Sequence, residues 1–252
     1  MVLMTATAAL TAAERDTFRQ QGFLGPYEMC PAAEMDAMRP RIEAVLQTDA
    51  PDHKTRVHNR HLDSRLIHEL ATHPAILDRM EALYGEDLLI WRTNFFIKDP
   101  VDPAHEPKQI PWHQDFNYWP LEPPVILSAW IAVDPSTREN GCVQVLPGSH
   151  RKPLPHVKAG ADMVFAEQAD PSSYDASEAV DLEMRPGEFV LFNERTLHHS
   201  EANRSALRRI GLAVRMIVPI VQVLSWDSPR HALVQARGGD PLGFNRKTDP
   251  PA

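Results

Sequence analysis

Twenty-three prolines in 252 residues restrict what this chain can build. Proline removes a backbone donor and fixes φ, so long helices and uninterrupted central strands give way to short strands joined by ordered loops. Pro123-Pro124, Pro147-Gly148 and Pro186-Gly187 punctuate the second half in this way. Between them lie runs rich in β-branched and aromatic residues. The longest, Leu88 to Lys98, ends at Asp99-Pro100. Further strands are expected at Val125 to Asp134, Val143 to Leu146, Phe189 to Phe192, Leu197 to Ser200 and Ile210 to Val218. Many short strands with such turns indicate a mainly β fold, a sandwich or a barrel.

The first third reads as helical. Thr11 and Glu14 form a capping box for a helix that stops near Gly22, and Phe23-Leu24-Gly25-Pro26 follows as a short strand or extended link. Residues 32 to 47 place Met35, Met38, Ile42, Val45 and Leu46 at helical spacing, and His73 to Tyr84 does so with Ile76, Leu77, Met80 and Leu83. Such helices would cover one sheet. Met1 to Leu10 is apolar but lacks a basic start, and reads as a disordered leader before a single domain over 11–252. Val157 to Glu178 is polar with weak periodicity and reads as a long insertion between strands, a candidate lid.

A formal net charge of -8, with no long basic run, argues against nucleic acid or an anionic membrane as partner. No apolar stretch approaches the roughly 18 residues that a membrane span needs. Cys30 and Cys142 read as reduced, buried thiols, as expected of a cytoplasmic protein.

The sharpest local feature is Trp112-His113-Gln114-Asp115. In extended backbone, residues two apart point to the same side, so His113 and Asp115 can converge on one ion. With a distant histidine they would form a two-His-one-carboxylate set, which suits a divalent first-row metal and leaves positions open for oxygen chemistry. Leu197-His198-His199-Ser200 supplies two candidates for that histidine. The following strand alternates Arg209, Gly211, Ala213 and Arg215 on one face with Ile210, Leu212, Val214 and Met216 on the other. The apolar face would meet the helices. The first face looks like the wall of a polar pocket, where an arginine fork can hold a carboxylate.

Five ordered motifs together resemble the phytanoyl-CoA dioxygenase-like family of iron(II)/2-oxoglutarate oxygenases. They are the stretch at 112 to 115, Ser-Ala-Trp at 128 to 130, Glu-Asn-Gly-Cys-Val-Gln-Val-Leu-Pro-Gly-Ser-His at 139 to 150, Pro-Gly-Glu at 186 to 188, and His-x-Ser-x-x-Asn-x-Ser at 198 to 205 followed by Arg209. The resemblance implies a double-stranded β-helix, or jelly roll, of cupin-like form with N-terminal helices packed on one sheet. It implies His113, Asp115 and His198 as iron ligands, with Arg209 and Ser200 on the far carboxylate of 2-oxoglutarate and Trp130 lining that pocket. The Ser two positions later favours His198 over His199. Asn94 is a further candidate for the cosubstrate, and His150 reads as structural.

What the resemblance implies chemically is dioxygen chemistry at Fe(II), with 2-oxoglutarate consumed to succinate and CO2 while a substrate is hydroxylated or otherwise oxidised. Asp115 stands where related halogenases carry Ala or Gly, so halogenation is disfavoured. Gln114, Asn117, Tyr118, Trp119 and Arg92, with Lys98, are the expected substrate contacts and suit a small polar or anionic molecule, as in bacterial members acting on small metabolites. His53, His58 and His61, with Arg56 and Arg60, form either an entrance segment or a solvated loop. A monomer or homodimer is expected. The competing readings are a metal-dependent hydrolase on a cupin-like barrel and a non-catalytic jelly roll.

Overall fold

Thr11 caps the first helix as its sequence requires. Its hydroxyl accepts from the Glu14 amide at 3.2 Å, and the Glu14 carboxylate accepts from the Thr11 amide at 2.8 Å. In the computed structural model, which describes residues 9–50, 55–102 and 108–252, helix α1 (Ala12–Gln21) stops at Gly22 in the left-handed region. Helices α2 (Ala32–Gln47), α3 (Arg65–Ala71) and α4 (Pro74–Tyr84) follow. The third was not anticipated, because seven residues are too few to display a helical period. Leu10, expected in a disordered leader, is buried, and its carbonyl accepts from Arg15 Nη1 at 2.7 Å. The rest of that leader lies outside the described residues, apart from the exposed Ala9.

The strands are β1 (Phe23–Glu28), β2 (Leu88–Lys98), β3 (Ile110–His113), β4 (Leu121–Glu122) and β5 (Ile126–Ala132). They continue with β6 (Val143–Val145), β7 (His156–Lys158), β8 (Glu167–Ala169), β9 (Val180–Leu182) and β10 (Glu188–Asn193). Last come β11 (His198–Ser200), β12 (Arg209–Ile217), β13 (Gln222–Val223), β14 (Leu233–Arg237) and β15 (Lys247–Thr248). A seven-stranded sheet runs β1-β10-β5-β12-β2-β14-β15 and a four-stranded one β3-β11-β6-β9. These are the two walls of a jelly roll.

The alternation along β12 divides the core as its sequence requires. Ile210, Leu212, Val214 and Met216 join one cluster with Met35, Ile42, Ile67, Ile76 and Met80 from the helices. On the other side Ala213, with Trp130, Ala132, Val190 and Phe192, meets Val143, Val145 and Leu182 of the smaller sheet. Every β12 residue is buried, so truncating Leu212 to Ala would cost about 2–5 kcal/mol.

One expectation needs correction here. The segment Val157 to Glu178 is not a structureless insertion: β7 and β8 pair as an antiparallel hairpin, and two short 3-10 turns follow. The large sheet also extends past Val218, because β14 pairs with β2. Among the described residues, no helix is long and apolar enough to cross a membrane.

Candidate metal centre and its cavity

Antiparallel pairing of β3 with β11 sets His113 directly opposite His198. Their ring centroids are 4.1 Å apart. After the extended Gln114, the chain turns into a 3-10 helix at Asp115–Tyr118, which brings the Asp115 carboxylate to 3.5 Å from His113 Nε2. One ligand atom from each of the three side chains lies within 4.8 Å of the others, and all three residues are buried.

The tautomers follow from the backbone. His113 Nδ1 lies 2.8 Å from the Pro111 carbonyl and His198 Nδ1 2.8 Å from the Thr196 carbonyl. A carbonyl only accepts, so each Nδ1 carries the proton and each Nε2 keeps its lone pair for a ligand. Burial, then the neighbouring His113, pushes His198 down to about 3, so its neutral form prevails. Burial works against the Asp115 carboxylate, but Arg215, His113 and His198 outweigh it and hold the group below the usual carboxylate range. Its Oδ2 has no hydrogen-bond partner and lies 3.6 Å from Arg215 Nε. Two imidazole nitrogens and an ionised, under-satisfied carboxylate oxygen fit a divalent first-row cation.

Arg209 is buried on the same face of β12. Its Nη1 donates to the Gly141 carbonyl and to Ser200 Oγ, the latter at 3.3 Å, while its Nε has no partner. Ser200 Oγ itself donates to the Gly141 carbonyl at 2.7 Å. Gly141 has φ +75°, a conformation that favours glycine, and a Cβ there would collide with the Glu201 carbonyl. The Trp130 ring lies 5.1 Å from the Arg209 guanidinium. Lys98 Nζ donates to the carbonyls of Ser200 and Glu201, and burial, then Arg209, pushes it down to about 7.

A cavity of about 930 Å³ opens beside these groups, with Asp115, Arg209 and Arg215 in its lining. Of the expected contacts, Arg92, Asn94, Lys98, Tyr118 and Trp119 line it. Asn94 Oδ1 is buried there without a partner. Ser200 and Trp130 line a narrower recess that also contains His113 and His198.

Two expected contacts are elsewhere. Gln114 is buried on the opposite side, donating to the Lys152 and Arg195 carbonyls at 2.9 and 2.6 Å and accepting from the Leu154 amide at 2.8 Å. The alternation that brings positions 113 and 115 together sends 114 away. Asn117 is exposed and donates to Glu167 at 3.1 Å. The 3-10 turn after Asp115 ends strand alternation, which turns Asn117 outward.

His199 points away from His198. It stacks on Trp112 with centroids 4.4 Å apart and hydrogen-bonds Gln144 at 2.6 Å. His150 meets the Arg19 carbonyl at 3.2 Å, a structural role. In the basic segment, His58 lines the cavity, whereas Arg60 and His61 are buried rather than solvated. Arg60 bonds the Val45 carbonyl and Thr48 at the end of α2. His53 lies outside the described residues. Sequence reasoning missed Phe165, which the β7–β8 hairpin sets edge-on to His113 at 4.9 Å.

A jelly roll with two imidazoles and a carboxylate converging at one wall has the architecture of the 2-oxoglutarate-dependent non-haem iron oxygenases. The model of the family "Phytanoyl-CoA dioxygenase (PhyH)" matches residues 18–211, and the chain belongs to that family. It is 28% identical over 224 residues to the peroxisomal phytanoyl-CoA dioxygenase of Homo sapiens, covering 78% of this chain and 65% of that protein's length. Among solved structures, the apo form of ThoJ, described as a non-heme monooxygenase, superposes with a TM-score of 0.78 at 25% identity, covering 94% of this chain and 86% of its own. "CytC3 with Fe(II) and alpha-ketoglutarate" superposes with a TM-score of 0.74 at 27% identity, covering 95% and 93%.

Proposed function

We propose that this chain is an iron(II)- and 2-oxoglutarate-dependent dioxygenase that oxidises a small polar or anionic metabolite or natural-product intermediate. His113, Asp115 and His198 hold the iron, and Arg209 with Ser200 holds the far carboxylate of 2-oxoglutarate beside Trp130. The observation that carries this reading is the cross-strand pair His113 and His198, with both Nε2 atoms free beside an ionised Asp115.

Iron(II) with 2-oxoglutarate and dioxygen supplies the oxidising power, and succinate and CO2 leave. The chain's own residues bind, orient and exclude water. Arg209 is held by Gly141 and Ser200 before any ligand arrives, so little ordering remains when a carboxylate lands. Lys98 adds a second cation near that end, and its low proton affinity rises when an anion binds beside it. Asn94, with an unpaired Oδ1 in the same cavity, offers a further contact. Phe165 and Tyr118 flank His113 and keep the metal side of the cavity dry.

The polar lining from Arg92, Asn94 and Lys98 favours a small metabolite over a long acyl chain. Strong turnover of phytanoyl-CoA, with none on small acids or amino acids, would overturn that part.

The test is an anaerobic titration of the iron(II) protein with 2-oxoglutarate, followed by admission of O2. A visible charge-transfer band that appears with 2-oxoglutarate, then iron-dependent succinate release, is expected. Asp115→Gly should abolish the iron-dependent succinate release. Near-normal succinate release in that variant, or release without iron, sinks the assignment.

A further inference from the structure

Beyond the cosubstrate end, the cavity has a second cationic feature. Arg92 on β2 and Arg215 on β12 are directly paired across the antiparallel ladder. Like charges facing each other across a ladder destabilise a sheet, and both of these guanidiniums are largely out of water. An anion meeting both guanidiniums would offset that cost.

Their existing partners do not use them up. Arg92 Nη2 donates to Asp227 at 2.7 Å, and Asp227 is also approached by Asn59 Nδ2 at 3.4 Å. Arg92 Nε has no partner. Arg215 is less well served. Its nearest carboxylate is Asp115 at 3.6 Å, and its Nε and Nη1 are buried without hydrogen bonds. Asp115 is the proposed iron ligand, so its charge is shared with the metal rather than given to Arg215. Both arginines line the cavity. The Trp119 ring lies 4.8 Å from the Arg215 guanidinium and holds it in place, and Phe96 and Phe165 supply apolar wall.

Resting on the iron and 2-oxoglutarate assignment above, the geometry points to Arg92 and Arg215 as the seat of the substrate's own carboxylate. The substrate class is then a compact monocarboxylic acid with an apolar or aromatic body. Its carboxylate lies on the arginine pair, which abuts the metal ligand Asp115, and its body lies against Phe96, Trp119 and Phe165. This anion seat is separate from Arg209, which lies six residues earlier on the same strand face.

Binding, not turnover, tests it. The protein is loaded anaerobically with iron(II) and saturating 2-oxoglutarate, which fills the Arg209 end. Hexanoate, benzoate and 3-phenylpropionate are then titrated against their primary amides by calorimetry. At least one acid is expected to bind at least tenfold more tightly than its amide. The double variant Arg92→Gln/Asp227→Asn removes a charge pair together, leaving no buried carboxylate stranded. It should lose that discrimination while iron stoichiometry and 2-oxoglutarate affinity stay at wild-type values. Equal binding of acids and amides, binding of no acid, or retained discrimination in the variant overturns the seat. Loss of 2-oxoglutarate affinity in the variant also overturns it, since the pair would then serve the cosubstrate. Failure of iron or 2-oxoglutarate to bind the wild-type protein instead overturns the underlying assignment.

Discussion

The indole of Trp130 occupies the space where a side chain at residue 211 would stand: a Cβ on Gly211 would overlap its Cζ2, Cη2 and Cε2 atoms. The two residues lie on adjacent strands, with Ala213 paired to Trp130 and Gly211 to Ala132. Glycine here makes room for the ring that faces Arg209. Gly211→Ala should therefore cost about 1–3 kcal/mol in stability and weaken 2-oxoglutarate binding by moving the ring. Chemical denaturation and cosubstrate titration measure the two effects. Adding Trp130→Phe, which removes the overlapping atoms, should recover part of the lost stability.

Replacing Arg209 by Lys keeps the charge but loses the fork that Gly141 and Ser200 pre-orient. A lost charge-assisted hydrogen bond is worth about 1.5–3 kcal/mol, so KM for 2-oxoglutarate should rise roughly 10- to 100-fold. Succinate release against cosubstrate concentration gives the number. Arg209→Gln should be worse still, and an unchanged KM in both variants would remove Arg209 from the cosubstrate site.

Gln114 is a structural clamp, so Gln114→Leu should reduce stability and leave small-molecule binding alone. Each carbonyl or amide left unsatisfied costs about 1–3 kcal/mol. Comparison of urea midpoints with 2-oxoglutarate affinity separates the outcomes. Weakened ligand binding without loss of stability would return Gln114 to the pocket.

Glu194 makes the fold's stability depend on pH. Burial raises its carboxyl to about 7, and Tyr84 donates to it at 3.5 Å. The folded state holds this proton more tightly than the unfolded chain does. Its relative stabilisation is therefore fully present below the unfolded value of 4.5 and is lost as pH rises through about 7. Glu194→Gln keeps an acceptor for Tyr84 and has no proton to lose. It should be more stable than wild type at pH 8, by up to about 3 kcal/mol, and nearly equal at pH 4.5. Denaturation midpoints at both pH values decide it.

Local signals made much of this legible beforehand. Thr11, Glu14 and Gly22 delimit α1, and the two-residue alternation of β12 assigned one face to the helices and the other to a pocket. That alternation placed Arg215 on the pocket face but could not name Arg92 as its neighbour. Ladder register depends on residues more than a hundred positions apart, which no local pattern encodes. Gln114 was readable in principle, since the period that joins His113 to Asp115 excludes it. Asn117 was not, because a 3-10 turn replaces the strand just where the alternation would have been applied. Phe165 sits over His113 through a hairpin whose sequence is polar and shows no clear period.

The two hydrogen bonds that orient the ligand histidines, His113 to Pro111 and His198 to Thr196, each span only three consecutive residues. The proton on each Nδ1 is thus fixed by the backbone two residues back, not by a side chain of the cavity wall. Metal chemistry and substrate choice are to that extent separable inheritances. Walls such as Arg92 and Trp119 are free to diverge, and a lineage can acquire new substrates while the tautomers at the metal stay the same.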